Sequence, residues 1–385
     1  MPPKPLLMIP GPTPVPDCVL RALATPMINH RGPEFAALQR EVIAGLQQVY
    51  RTEGEVLIFP ASGTGGLEAS IVNTLSPEER VLAVVIGAFG DRYAQIAAEY
   101  GVAIRRLDVP WGRAAAPEAV DQALRDDPGV RAVLLTHNET STGVLNDVRE
   151  LARVIRARAP EALILVDSIS GMLAAPLETD AWDLDVVVSG SQKAFMLPPG
   201  LTFVSVSERA WAAHRSARLP RYYFDFTRMR RAMERGQTPY TPAVSLLYGL
   251  REALRLILAE GVDAQIARHE RLARATRAGV RALGLSLLAE PGRESPALTA
   301  VLAPEGISPR EIRRRLREEH AIVVAGGQGP LESTVFRIGH LGYVSESDVI
   351  ATLVALERTL ASLGWAVTPG AAAAAATAAV APVAT

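Results

Sequence analysis

Between residues 55 and 206 the chain repeats one pattern: a short apolar run, a polar or glycine-bearing turn, then a stretch with apolar residues at three- and four-residue steps. The strand-like segments are EVLIFP, RVLAVVIG, AIRRLDV, VRAVLLTH, ALILVDS, LDVVVSGSQ and LTFVSVS. Several are apolar at nearly every position, as strands covered on both faces must be. The intervening segments GTGGLEASIVNTL, DRYAQIAAEYG, PEAVDQALR and DVRELARVIRARA carry the helical period. Strand and helix in alternation predict βαβ units and an α/β fold built on a large, mostly parallel sheet. Sheets of this kind bind ligands at the carboxyl ends of their strands, so the turns that follow the apolar runs are where chemistry is to be sought.

The 385 residues suit one large and one smaller domain. Residues 1–16 are proline-rich and read as an extended arm laid over the rest. Residues 17–258 read as the large domain, opening with the helical segments DCVLRAL and PEFAALQREVIAGLQQVY. After about residue 245 come two long helical segments. Beyond them ALTAVLA, AIVVAGG and TVFRIGHLG alternate with further helices, which predicts a smaller α+β domain over 259–365. The alanine-rich stretch 366–385 offers little bulk to bury and reads as a disordered tail.

Composition removes several function classes. A net charge of −1 gives no basic field for nucleic acid or membrane, and 5% aromatic content provides few stacking platforms for single strands. The single cysteine, Cys18, excludes an intrachain disulfide and every multi-cysteine metal site. Histidines at 30, 137, 214, 269, 320 and 340 show no HExxH or paired spacing, so no metal is expected. There is no signal-like apolar stretch at the start and no uncharged membrane-length run, so a cytoplasmic location is the expectation.

The turns after the strands hold five features, each with a plain alternative. Ser62, Gly63, Thr64, Gly65 and Gly66 open a helix and could cradle a phosphate; a tight turn without a ligand reads the same way. Phe89, in GAFGDR, is a flat stacking surface or a cap on the core. Glu139, Thr140, Ser141 and Thr142 form a polar cluster able to hydrogen-bond a hydroxyl or phenolate, or simply a polar turn. Asp167 ends a buried strand, where a carboxylate needs a partner or caps the next segment. Lys193 is one of only two lysines among 40 basic residues, Lys4 being the other. Arginine cannot act as an amine nucleophile, whereas a desolvated lysine can form a Schiff base; a solvated surface lysine is the bland reading. Taken together the five meet the needs of one ligand, pyridoxal 5'-phosphate. Lys193 would bond its aldehyde, Asp167 would keep the pyridine nitrogen protonated, and residues 62–66 would take the phosphate. Phe89 would stack on the ring, and the Thr140 region would face the ring oxygen.

The motifs GPTPVP, SGTGGLEA, GAFGDR, HNETSTGV, LVDSISG, SGSQKAFMLPPG, TPYTPAVSLLYGLREAL and FRIGHLG resemble those of the class V aminotransferases, in the alanine–glyoxylate / serine–glyoxylate (serine–pyruvate) group. The resemblance runs from PGPTPVP to about residue 362. It implies the fold of pyridoxal-phosphate-dependent transferases (fold type I), with Lys193 as the catalytic lysine and Gln192 beside it on the cofactor phosphate. It further implies Ser62, Gly63 and Thr64 as the phosphate loop, Asp167 as the pyridine partner and Thr140 as a cofactor-contacting hydroxyl. Thr241, with Thr238 or Tyr240, would reach the phosphate of the neighbouring subunit, which implies a homodimer with shared sites. Arg337 would clamp the substrate α-carboxylate. Phe89 stands where the family often has tryptophan, and VVAGGQG at 323–329 resembles branches of broad amino-acid preference. The implied activity is ping-pong transfer of an amino group from alanine or serine to glyoxylate or pyruvate. An aspartate or broad donor preference is the alternative, with Arg31 as the candidate reader of a distal carboxylate. Further alternatives are a cysteine desulfurase, for which Cys18 is the only thiol, and a catalytically silent binding subunit.

Overall fold

In the computed structural model, which describes residues 5–380, the chain opens with a short strand, β1 (Leu6–Met8), and two helices, α1 (Asp17–Leu23) and α2 (Pro33–Tyr50). The alternation then follows: β2 (Glu55–Phe59), α3 (Gly63–Thr74), β3 (Arg80–Val85), α4 (Ala88–Glu99), β4 (Ala103–Asp108), α5 (Pro117–Asp126) and β5 (Ala132–Thr136). A small hairpin of β6 (Asn138–Glu139) and β7 (Val144–Leu145) leads to α6 (Val148–Arg158), β8 (Leu163–Asp167), β9 (Val186–Gly190) and β10 (Thr202–Val206). Three helices follow: α7 (Glu208–Ser216), α8 (Phe226–Met233) and α9 (Val244–Glu260).

Seven strands form one sheet in the order β2-β10-β9-β8-β5-β3-β4. Only β10 runs antiparallel to its neighbours. The unbroken apolar runs have a simple cause. Val133 and Leu135 of β5, with Ile164 and Val166 of β8, enter a core shared with α2, α5, α6 and α9. Their alternate neighbours Ala132, Leu134, Leu163 and Leu165 enter the opposite core, with α3, α4, α7 and α8. Successive side chains on a strand point to opposite faces, so helices on both sides demand an apolar residue at every position. Each fully buried leucine, isoleucine or valine here contributes about 1.5–3 kcal/mol of transfer free energy.

After α9 the chain turns at Gly261, whose φ of 93° suits glycine, into α10 (Val262–Ala282). It continues through β11 (Leu298–Leu302), α11 (Pro309–His320), β12 (Ile322–Gly326), β13 (Val335–Gly339) and α12 (Glu346–Ser362). A second, smaller sheet has the order β1-β12-β13-β11. The N-terminal arm is thus partly a strand of this sheet, parallel to β12 with Leu6 opposite Ile322 and Met8 opposite Val324.

The disordered tail expected over 366–385 is replaced, across Ala371–Val380, by a helix, α13, packed on α10 and α12. Alanine forms helices better than any other residue, and its small side chain lets two helix backbones approach closely. Ala372 and Ala376 are fully buried. The Glu357 carboxylate of α12 accepts the N–H groups of Gly370 (2.8 Å) and Ala372 (3.3 Å), capping the start of α13. Residues 381–385 lie outside the described part of the chain. Among the described residues no helix is long and apolar enough to cross a membrane.

Candidate active site

At the carboxyl edge of the large sheet the turns after β2, β3, β5, β8 and β9 surround one cavity. After β2 the chain enters α3, with Ser62 as its N-cap residue and no side chain capping the first turn. After β3 comes Phe89, in the first turn of α4 rather than at the strand end. After β5 come Asn138 and Thr140; β8 ends on Asp167; and Gln192 and Lys193 follow β9. Ser62, Gly63, Thr64, Phe89, Thr140, Asp167, Gln192 and Lys193 all line this one cavity.

Burial governs the electrostatics. The Asp167 carboxyl is pushed up to about 7, chiefly by burial and further by the nearby Glu139 charge, while Lys193 and Arg92 oppose the rise. Its Oδ1 accepts the Ile169 N–H at 2.9 Å. The Lys193 amine is pulled down to about 8, again chiefly by burial; Asp167 opposes this, and Arg337 and Arg92 add to it. Lys193 Nζ donates to the Pro10 carbonyl at 2.7 Å. Arg337, on β13, is 7% exposed. Its guanidinium donates to two neutral acceptors, Gly326 O and Thr140 O, each at 2.7 Å, and burial pulls its pKa down to about 10.

The polar cluster at 139–142 does not act as one group. Only Thr140 faces the cavity. Glu139 is fully buried and turned toward the start of α4. It accepts the N–H groups of Phe89 (3.0 Å) and Gly90 (3.1 Å), and the N–H and hydroxyl of Ser141 (3.0 and 2.7 Å). A carboxylate with four donors at a helix N-terminus fixes the backbone that carries Phe89. Tyr240 and Thr241 are not brought to Lys193 within the chain. They line a separate apolar groove with Tyr223, Met229, Met233 and Thr238, and the Tyr240 ring stacks on Tyr223 at 5.1 Å between centroids. Arg31 sits beside them, donating to Gln237 Oε1 (2.9 Å) and Thr238 O (3.2 Å). Cys18 lies on α1 against the core, away from the cavity.

Five lining residues were not candidates from the sequence: Leu67, Arg92, Asn138, Ile169 and Ser170. Arg92 holds its guanidinium 4.8 Å above the Phe89 ring centroid. It stands three residues after Phe89, one helical turn, a spacing that could have marked it. Asn138 carries no such signal; only the β6–β7 hairpin brings it in. The Oδ1 of Asn138 and the Oε1 of Gln192 are buried without a hydrogen-bond partner among the described residues. Orphaned acceptors of this kind suit a ligand with donors of its own or ordered water. With the uncapped start of α3, a buried carboxyl that prefers a cationic partner and a half-buried amine, the donor set fits a phosphate-bearing pyridine aldehyde.

A family model described as aminotransferase class-V matches residues 7–349. The chain is 46% identical to the soluble hydrogenase, small subunit, of a Synechococcus species, over 97% of this chain and 97% of that protein. It is 38% identical to the L-aspartate–glyoxylate aminotransferase of Paracoccus denitrificans, over 93% of this chain and 91% of the relative. Among solved structures, pyridoxamine–pyruvate aminotransferase from Mesorhizobium loti matches with a TM-score of 0.94 at 31% identity, covering 98% of this chain and 97% of that one.

Proposed function

The chain belongs to the class-V aminotransferase family and has the fold of the pyridoxal-phosphate-dependent transferases, and from that premise we propose that it moves the amino group of alanine or serine to glyoxylate or pyruvate in two half-reactions. The observation that carries this reading is the half-buried Lys193 amine, its pKa lowered by desolvation, in the same polar cavity as Asp167. Pyridoxal 5'-phosphate, when bound, supplies an aldehyde to receive the amino group and a ring that draws electrons from the substrate Cα. Lys193 takes the proton from Cα and returns it on the far side of the transfer, and its lowered pKa provides neutral amine near pH 8. Asp167, poor at carrying charge alone in its buried position, would hold a protonated pyridine nitrogen. Ser62, Gly63, Thr64 and Gln192 would hold the phosphate, Phe89 the ring face and Thr140 the ring hydroxyl. Arg337 would hold the α-carboxylate. Its present hydrogen-bond acceptors are neutral carbonyls, so no carboxylate is hydrogen-bonded to it before substrate arrives, although the Glu139 charge acts on it from nearby. Thr241, with Tyr240 or Thr238, would complete the phosphate site of a second copy in a homodimer.

Arg92 favours a second reading, an aspartate donor. Its guanidinium lines the cavity and has no carboxylate partner among the described residues, so it could receive a distal carboxylate. Arg31, held at Thr238, would follow Thr241 to the partner's site in the same way. The visible spectrum of the purified protein decides between these readings. A yellow band bleached by L-alanine or L-serine, without any 2-oxo acid, is the expected result. Bleaching by L-aspartate alone moves the donor to dicarboxylates. No band after reconstitution with pyridoxal phosphate overturns the enzyme reading and leaves a silent binding subunit.

A further inference from the structure

Residues 9–13 pass between the smaller sheet and the turn that carries Lys193. On one side, β1 pairs with β12, and the backbone of Ile9 and Pro10 lies against Gly339 of β13. On the other side, three hydrogen bonds reach the lysine turn. Thr13 N donates to Gln192 O at 3.1 Å, Thr13 Oγ1 to Lys193 O at 2.9 Å, and Lys193 Nζ to Pro10 O at 2.7 Å. The amine is therefore hydrogen-bonded to a segment whose position is set by the smaller sheet, while its own backbone belongs to the large one.

We propose that the Pro10 carbonyl is the docking acceptor for the Lys193 amine whenever that amine carries no covalent partner, and that residue 11 is glycine so that the amine can dock. Gly11 has a φ of +139°, and a Cβ there would lie 2.6 Å from Nζ, 2.8 Å from Cδ and 2.9 Å from Cε of Lys193. The proposal rests on Lys193 being the proton-carrying amine of the function proposed above. A carbonyl oxygen accepts a hydrogen bond but takes no proton at ordinary pH. It can hold an ammonium group in place without competing for the proton that the amine has just removed. Pinning the end of a long, flexible side chain also removes an orientational search before the proton is returned. Three charged groups act on the amine in this position: Asp167 of β8 favours its ammonium form, and Arg337 of β13 and Arg92 of α4 oppose it. The Pro10 carbonyl adds a neutral acceptor on the side of the arm.

Because Lys193 and Lys4 are the only lysines, amine labelling at Lys193 can be read by mass without ambiguity. The measurement is the pH dependence of labelling in the full-length protein after removal of cofactor, for wild type and two variants. Gly11→Ala crowds the amine directly. Gly339→Ala places a Cβ 2.2 Å from the carbonyl carbon and 2.3 Å from the oxygen of Ile9, forcing the arm off the sheet without touching Lys193. Losing an acceptor disfavours the ammonium form. Both variants should therefore lower the labelling midpoint and label about threefold faster at pH 7, with an unchanged plateau at high pH. In the reconstituted enzyme kcat should fall about tenfold, with KM for the amino acid moving less than about twofold. An unmoved midpoint in both variants overturns the assignment. A shift in Gly11→Ala alone also overturns it, because crowding of the amine would then be the cause. A wild-type protein that transfers no amino group overturns the aminotransferase reading instead, and the labelling result still stands on its own.

Discussion

Asp167 shows how much a single position can report. Its carboxyl is 4% exposed, and in the cofactor-free chain burial raises it to about 7 from a reference value of 3.8. A carboxyl whose pKa is higher folded than unfolded stabilises the fold fully below the unfolded value, and the contribution is lost as pH rises through the folded one. Denaturant unfolding of cofactor-free protein should therefore find wild type and Asp167→Asn alike near pH 4, with Asn becoming more stable by at most about 4 kcal/mol above pH 7. The same variant should bind pyridoxal phosphate at least about tenfold more weakly, because the pyridine nitrogen loses its anionic partner. Lys193 makes a second prediction. Capture of added pyridoxal phosphate by cofactor-free protein should accelerate with pH and level off near 8, following the lowered amine pKa, and Lys193→Ala should abolish it. Asp167 and Lys193 were legible in the sequence for chemical reasons: an acid ending an apolar strand, and a lysine in a chain that otherwise uses arginine. Glu139 was legible as polar but not in its role, because its four hydrogen bonds depend on where α4 begins in space. Its isosteric variant Glu139→Gln turns a donor toward N–H groups that need an acceptor. That variant should lose cofactor affinity about tenfold while keeping the visible band.

The elements were readable wherever periodicity and burial agree. The inner strands of the large sheet coincide with apolar runs, since a strand between two helical layers has little freedom to be polar, whereas the edge strand β4 carries Arg105, Arg106 and Asp108. The short hairpin β6–β7 and the helices α7 and α8 carry no comparable signal. Their sequences are polar on balance, and packing against Phe59, Trp211 and Phe226 places α7 and α8 where they are. The alanine-rich tail misled for the opposite reason. It lacks bulk yet packs, because α10 presents Gly279 to it, and a Cβ there would come within 3.0 Å of the Ala372 carbonyl oxygen. If close backbone approach is what seats α13, small changes at the contact should matter. Ala376→Asp, which buries an unpaired charge, should destabilise the fold by about 3 kcal/mol or release the helix, and Ala374→Asp, on a more exposed turn position, should cost under about 0.5 kcal/mol. Urea unfolding followed by circular dichroism, with limited proteolysis after residue 365, distinguishes destabilisation from release.

At the scale of the molecule the active-site cavity and the apolar groove pose one question: why Tyr240 and Thr241 line a wall remote from Lys193. The groove is rich in aromatic and methionine side chains, and Tyr222 beside it is 65% exposed. Monomeric proteins seldom leave stacked tyrosines open to solvent over such a surface. In a twofold-symmetric pair whatever one copy lends to its partner it receives in return. The proposed homodimer would thus deliver Thr241 to the partner's phosphate site, carrying Arg31 with it through Thr238. Subunit complementation tests this arrangement more sharply than a mass measurement. Lys193→Ala alone should be inactive. Thr241→Glu alone, with a carboxylate set against the phosphate, should fall at least about a hundredfold in cofactor affinity. In a heterodimer the Thr241→Glu chain supplies an intact lysine and the Lys193→Ala chain an intact threonine, so one of the two sites is wild type in every part. Random reassociation makes half of the dimers mixed, and activity should return to about a quarter of the wild-type value. If Thr241 instead served its own chain's cavity, both sites of the mixed dimer would each contain one lesion, and mixing would restore nothing.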